Sequence, residues 1–129
     1  MKFAYTIVYV SDVAASLAFF ERAFGLARRF LHEGGDYGEL ETGATTLSFA
    51  SHATARGNLG RDYVAADRSD QPLGMEIGLV TDDVGASCDR AVQAGATLLT
   101  PPTVKPWGQT VAYVRCPDGT LVELCTAIG

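Results

Sequence analysis

The sequence predicts an α+β fold built from two tandem βαβββ modules whose sheets line a cavity. Three observations predict it. Short stretches of alternating apolar and polar residues mark strands along most of the chain. Two segments with apolar residues at helical spacing interrupt them, each opened by an aspartate and closed by a glycine. The order strand, helix, strand, strand, strand occurs twice, about 70 residues apart. The modules are assigned to residues 1–51 and 74–129, with residues 52–73 as a connecting loop.

The elements follow in order. Residues 2–10 alternate, with Thr6, Val8 and Val10 on one face and Tyr5, Ile7 and Tyr9 on the other. Asp12 is the better of two candidate caps for a helix carrying Val13, Leu17, Phe20 and Phe24 at helical spacing, and Gly25 ends it. Strands follow at 26–32, 37–41 and 45–50, separated by turns at Gly34-Gly35-Asp36 and Gly43-Ala44. Residues 51–72 are rich in Ala, Gly, Asp, Arg and Ser and lack periodicity, which predicts a linker or binding loop. The second copy runs from a strand at 75–81 into a helix capped by Asp82-Asp83, with Val84, Cys88, Ala91 and Val92 as its apolar positions and Gly95 at its end. A short strand at 97–100 is closed by Pro101-Pro102. Strands at 109–115 and 120–126 complete the module, divided by Pro117-Asp118-Gly119.

Composition limits the function classes. The chain has 129 residues, 47% of them hydrophobic, with a net charge of -5. That balance argues against a nucleic-acid surface, which needs clustered Lys and Arg. No apolar run reaches the ~20 residues of a membrane span. The start of the chain reads directly into a strand, so no signal peptide is expected and the protein is assigned to the cytoplasm. Cys88, Cys116 and Cys125 form no CxxC and are read as reduced, buried, small side chains. His32 and His52 are read as surface histidines, with a place at the cavity rim as the alternative for His52, which shares the strand parity of Ser48.

The repeat is visible residue by residue. Asp12-Val13 aligns with Asp83-Val84, Gly25 with Gly95, and Thr45 to Phe49 with Thr120 to Leu124. In this register Tyr5 falls on Glu76 and Ser48 on Glu123. Val8, Val10, Leu47, Phe49, Ile77, Leu79, Val122 and Leu124 are expected to face a helix. Tyr5, Thr46, Ser48, Ala50, Glu76, Gly78, Leu121 and Glu123 face away. That second face is too mixed for a core and too apolar for plain surface, so it is read as the wall of a ligand cavity. A carboxylate such as Glu123 in an apolar strand needs water, a partner or a ligand. Tyr9 and Trp107 are candidate aromatic walls.

Tyr5 to Val13 with the helix from Ser16 to Gly25, the Pro106-Trp107-Gly108 turn, and the Cys116-Pro117-Asp118-Gly119-Thr120-Leu121-Val122-Glu123-Leu124 motif together resemble the vicinal oxygen chelate superfamily, the glyoxalase/bleomycin resistance/dioxygenase group. The resemblance covers nearly the whole chain. It implies curved mixed sheets that pair around a cavity, commonly across a homodimer. It also implies metal ligands, His or Glu, on four strands, at the positions of Tyr5, Ser48, Glu76 and Glu123. Only Glu76 and Glu123 have the chemistry for a divalent metal, since neutral Tyr and Ser bind such ions poorly. The chain is therefore expected to hold no cofactor, with a divalent metal on Glu76 and Glu123 as the alternative.

Three function classes follow. The first is a protein that binds or sequesters a small molecule, with Tyr5, Tyr9, Ser48, Glu76, Trp107 and Glu123 around the ligand. The second is a divalent-metal lyase, isomerase or dioxygenase in which Glu123 is metal ligand or general base. The third is an interaction module with a vestigial cavity. The first is preferred, with a homodimer as its assembly and neither nucleic acid nor membrane as partner.

Overall fold

The computed structural model describes residues 1–129. Its strands are β1 (Tyr5–Val10), β2 (Arg28–Leu31), β3 (Tyr37–Leu40), β4 (Thr46–Ser51), β5 (Ile77–Val80), β6 (Thr97–Val104), β7 (Thr110–Arg115) and β8 (Leu121–Cys125). Its helices are α1 (Val13–Phe24), α2 (His52–Leu59) and α3 (Val84–Ala94), with a 3₁₀ turn at Ala66–Arg68. The strands form two separate four-stranded sheets, ordered β1-β4-β3-β2 and β5-β8-β7-β6. In each sheet the first strand runs parallel to the last and the other pairs are antiparallel. The two expected modules are both present.

Each module helix forms for the reasons its sequence states. The Asp12 carboxylate accepts a hydrogen bond from the Ala15 amide at 3.0 Å, and Asp83 does the same for Ala86 at 2.9 Å. Gly25 takes the left-handed conformation at φ 70° that ends α1. Each helix then lays its apolar stripe on its own sheet. Val10, Leu47 and Phe49 are buried beneath α1, and Val122 and Leu124 beneath α3. Phe20 is the centre of an aromatic cluster, 5.0 Å from the Phe49 ring and 5.1 Å from that of Phe24.

The helices also pack on each other, so the two sheets stand back to back around one continuous core. Phe19, Phe20, Val84, Cys88 and Ala91 belong to the same buried cluster. On its rim the Arg90 guanidinium donates to the Arg22 carbonyl at 2.8 Å, placing a cation at the C-terminus of α1. The sheet faces away from the helices consequently point outward.

Three expectations need correction. Residues 52–73 are not structureless, because α2 and the 3₁₀ turn lie within them. Ser51 caps α2 by accepting from the Thr54 amide, and Gly60 ends it at φ 75°. Only Ala55 of α2 is buried, so no apolar stripe announced the helix. The Pro101-Pro102 pair does not end its strand either. β6 runs on to Val104, which proline permits because β6 is an edge strand with an irregular register. Val92 lies one position off the Val84, Cys88, Ala91 stripe and is exposed.

A shared core gives the fold one cooperative transition rather than two. Phe20→Ala is expected to cost about 3–5 kcal/mol. Denaturant unfolding followed by circular dichroism and by Trp107 fluorescence should shift together, and separate transitions would contradict a common core.

Candidate functional site

The connecting segment folds across the seam between the modules. On one side Arg115 of β7 holds it, donating to the Ala66 carbonyl at 2.9 Å and the Ser69 carbonyl at 2.8 Å. Gly119 makes this approach possible. Its φ is 91°, and a Cβ built there would sit 2.3 Å from the Ala66 carbonyl oxygen. On the other side Tyr63 packs against Tyr9 of β1, ring centroids 4.9 Å apart. Between these anchors the segment walls a pocket of about 320 Å³.

The pocket lies where the β1 and β5 ends of the two sheets approach without pairing. Ile7, Tyr9, Tyr63, Val64, Leu73, Met75, Ile77 and Leu121 supply a largely apolar lining. Glu76 is its one ionisable carboxyl. Partial desolvation at the pocket, although the residue stays exposed, and secondarily the charge of Glu123, raise the Glu76 pKa above the ordinary glutamate range. Thr120 also lines the pocket. Its hydroxyl is buried and is the one buried side-chain polar atom with no hydrogen-bond partner in the chain. Such a group costs about 1–3 kcal/mol until something satisfies it.

The sequence-derived site residues are not brought to one place. Tyr9 and Glu76 line the seam pocket. Glu76 precedes β5 rather than lying within it, and it is exposed. Tyr5 and Ser48 belong to the outer face of the first sheet, where Tyr5 is 54% exposed and Ser48 is fully buried. The Ser48 hydroxyl donates to the Thr6 carbonyl at 3.5 Å and also lies against the Tyr37 phenol. Glu123 lies on the outer face of the second sheet and accepts a hydrogen bond from the Tyr113 hydroxyl at 2.8 Å. Trp107 sits on the turn between β6 and β7, 65% exposed, and its indole N–H donates to Gln109 Oε1 at 2.8 Å. It does not line the seam pocket.

Each outer face carries a tyrosine–glutamate pair that the sequence reading missed in part. In the second sheet it is Tyr113 with Glu123, and that hydrogen bond pushes the Tyr113 pKa up to about 12. In the first sheet Tyr37 donates to Glu39 at 2.8 Å, and Arg29 pairs with the same carboxylate at 3.0 Å. Register relates the pairs. Glu39 lies beside Ser48, as Tyr113 lies beside Glu123. The first module thus keeps its acid one strand further from β1. The alternation of Tyr37 and Glu39 against Ser48 was the available signal.

His52 is not a surface histidine. Its ring bonds Tyr63 and Asp67, and its side chain is 13% exposed. Burial raises the Asp67 carboxyl, but hydrogen bonds from Ser11 and His52 outweigh it and hold the group below the usual carboxylate range. His32 is exposed, as expected.

A divalent metal does not fit these positions within one chain. No three His, Cys, Asp or Glu side chains converge anywhere in it. Of the four positions the resemblance implies, Ser48 is sealed in the sheet and Tyr5 is a neutral phenol on the opposite module. The Thr120 hydroxyl gives the seam pocket its own test. Thr120→Val keeps the shape and removes the orphan oxygen. It is expected to stabilise the protein by about 1 kcal/mol, read by thermal melts.

A family model described as the Glyoxalase/Bleomycin resistance protein/Dioxygenase superfamily matches residues 2–124. No curated protein matches the chain. Among solved structures, a glyoxalase-related enzyme from Fulvimarina pelagi superposes with a TM-score of 0.83 at 22% identity, covering 98% of this chain and 88% of that one. A glyoxalase/bleomycin resistance protein/dioxygenase family enzyme from Burkholderia phytofirmans PsJN gives a TM-score of 0.80 at 20% identity over 98% of both chains. TioX from Micromonospora sp. ML1 gives 0.68 at 20% identity, again over 98% of both. These likenesses establish the fold, and the match over residues 2–124 establishes the family: the chain belongs to the glyoxalase/bleomycin resistance/dioxygenase superfamily.

Proposed function

We propose that the protein binds or sequesters a small, largely apolar molecule carrying a cationic or hydroxyl group, without a resident metal. The observation that carries this reading is the seam pocket: a largely apolar lining with one carboxyl, Glu76, and the phenols of Tyr9 and Tyr63. Apolar walls supply affinity by removing ligand surface from water. The few polar groups fix orientation, because a ligand that fails to meet them leaves them unpaired. Tyr9 and Tyr63 add aromatic faces suited to a ring. Glu76 biases the pocket toward positive or proton-donating groups.

The test is a fluorescence titration with Nile red, a neutral apolar dye, with benzamidine as the competing cation. Nile red should bind with enhanced emission, and benzamidine should displace it. Glu76→Gln should weaken benzamidine about threefold, the scale of a partly exposed ion pair. Prior treatment with a chelator should change neither result. Loss of dye binding after metal removal would overturn the metal-free reading, and no binding at all would overturn the pocket.

We further propose a homodimer. The outer sheet faces leave Tyr5, Ile7 and Val80 at 54%, 44% and 66% exposure, which a second copy would cover. Sedimentation velocity should give twice the 13.7 kDa chain mass. Tyr5→Lys should shift the population toward monomer.

A further inference from the structure

Away from Glu76 and Thr120, the chain builds a second polar cluster around His52. Nδ1 of His52 lies 2.5 Å from the Tyr63 hydroxyl, and Nε2 lies 3.1 Å from Oδ2 of Asp67. Ser11 donates to the same Asp67 oxygen at 2.5 Å. An ionised carboxylate only accepts, so Nε2 carries the ring hydrogen and Nδ1 presents a lone pair. Tyr63 therefore donates a hydrogen bond to Nδ1. The partners assign this tautomer, and each atom of the chain from Tyr63 to Ser11 is satisfied by it.

The placement of the cluster sets it apart from an ordinary loop anchor. Tyr63 lines the apolar seam pocket. Asp67 and Ser11 line a separate polar pocket on the other side, with Asp12, Ser16 and Asp118. The hydrogen-bonded series thus connects an apolar binding pocket to a polar, open one. Burial holds the Tyr63 phenol above its ordinary pKa, and the Arg56 guanidinium, 5.0 Å over the ring, offsets this only in part. The other charged and titratable groups around the cluster are Asp62, paired with Arg56 at 2.9 Å, Arg68 beside Asp67, and Tyr9 on β1.

We propose that Tyr63, His52 and Asp67 form a proton relay that accepts a proton from a weakly acidic hydroxyl ligand, a phenol or an enol, held in the seam pocket. The inference rests on that pocket being the binding site. Tyr63 takes the ligand's proton on its oxygen as its own proton passes to Nδ1 of His52. One O–H bond breaks in the ligand, one forms on Tyr63, and the former Tyr63 proton becomes an N–H on His52. The ligand is left as an anion hydrogen-bonded by Tyr63, and the imidazolium is held by the Asp67 carboxylate. The step moves protons only and needs no co-reactant. Tyr63 is the group that touches the ligand. His52 and Asp67 act through it as positioning residues.

The experiment uses para-nitrophenol, whose anion and neutral form absorb at different wavelengths, titrated in pH while bound to the full-length protein. The ionisation midpoint of the bound probe should lie about one pH unit below that of the free probe. The shift should vanish in Tyr63→Phe and fall by at least half in His52→Gln and Asp67→Asn. Because the midpoint is a property of bound probe, reduced occupancy in a variant does not mimic the effect. A midpoint that is unmoved or raised in the wild-type protein overturns the relay, as does a shift that survives Tyr63→Phe. If Nile red enters the pocket and the phenol midpoint stays put, the relay falls and the binding reading stands. If neither probe enters, both fall.

Discussion

The packing of α1 on α3 is the contact on which the rest of the molecule depends. Each four-stranded sheet has one apolar face, and each module has one helix to cover it. A single module of about 60 residues would be marginal as a domain on its own. Joining the two helices through Phe19, Phe20, Val84, Cys88 and Ala91 makes a single core from two half-sized ones. That choice also fixes where everything else can be. With the helices inside, the polar faces of both sheets must point outward, and the chain must cross from one module to the other over the seam.

The seam therefore holds the apolar pocket of the single chain. Its roof is the connecting segment, which is anchored on both modules by groups of different kinds. Arg115 grips backbone carbonyls on one side, and Gly119 lets the backbones touch. On the other side the anchors are Tyr63 against Tyr9 and the Asp67, Ser11 and His52 bonds. A segment with one buried helical residue, Ala55, has little core of its own. Its order comes from these polar and aromatic contacts, so the pocket wall is held by titratable groups rather than by apolar packing.

The two outer faces preserve the memory of duplication in an altered form. Each has a tyrosine hydroxyl bonded to a glutamate, yet the acid sits on β8 in one sheet and on β3 in the other. In the first sheet Arg29 neutralises it. The second sheet has no equivalent cation on Glu123, whose partner is the Tyr113 phenol. The modules thus differ electrostatically while remaining alike in backbone.

The sequence by itself determined the module pattern. Alternation, the Asp12 and Asp83 caps and the glycines that end the helices are local signals, and local backbone energetics reads them directly. It also picked the faces correctly: Val122 and Leu124 are buried, and Glu123 lies on the opposite side. Register identified Glu123 as a residue needing a partner but could not supply Tyr113, because cross-strand neighbours depend on how strands pair. The connecting segment was illegible for a related reason. The Ser51 cap and Gly60 stop were present, but without an apolar stripe nothing distinguished a helix from a loop. Tyr63, His52 and Asp67 are spread over 16 residues of that segment, and Ser11 lies in the first module, between β1 and α1. Only the tertiary structure could bring them together, since side-chain hydrogen bonds between distant residues leave no period in the sequence. It alone decided that the pocket forms at the seam and that Tyr5, Ser48 and Glu123 lie outside it, because the direction in which two modules pack is set by the shape of their shared core.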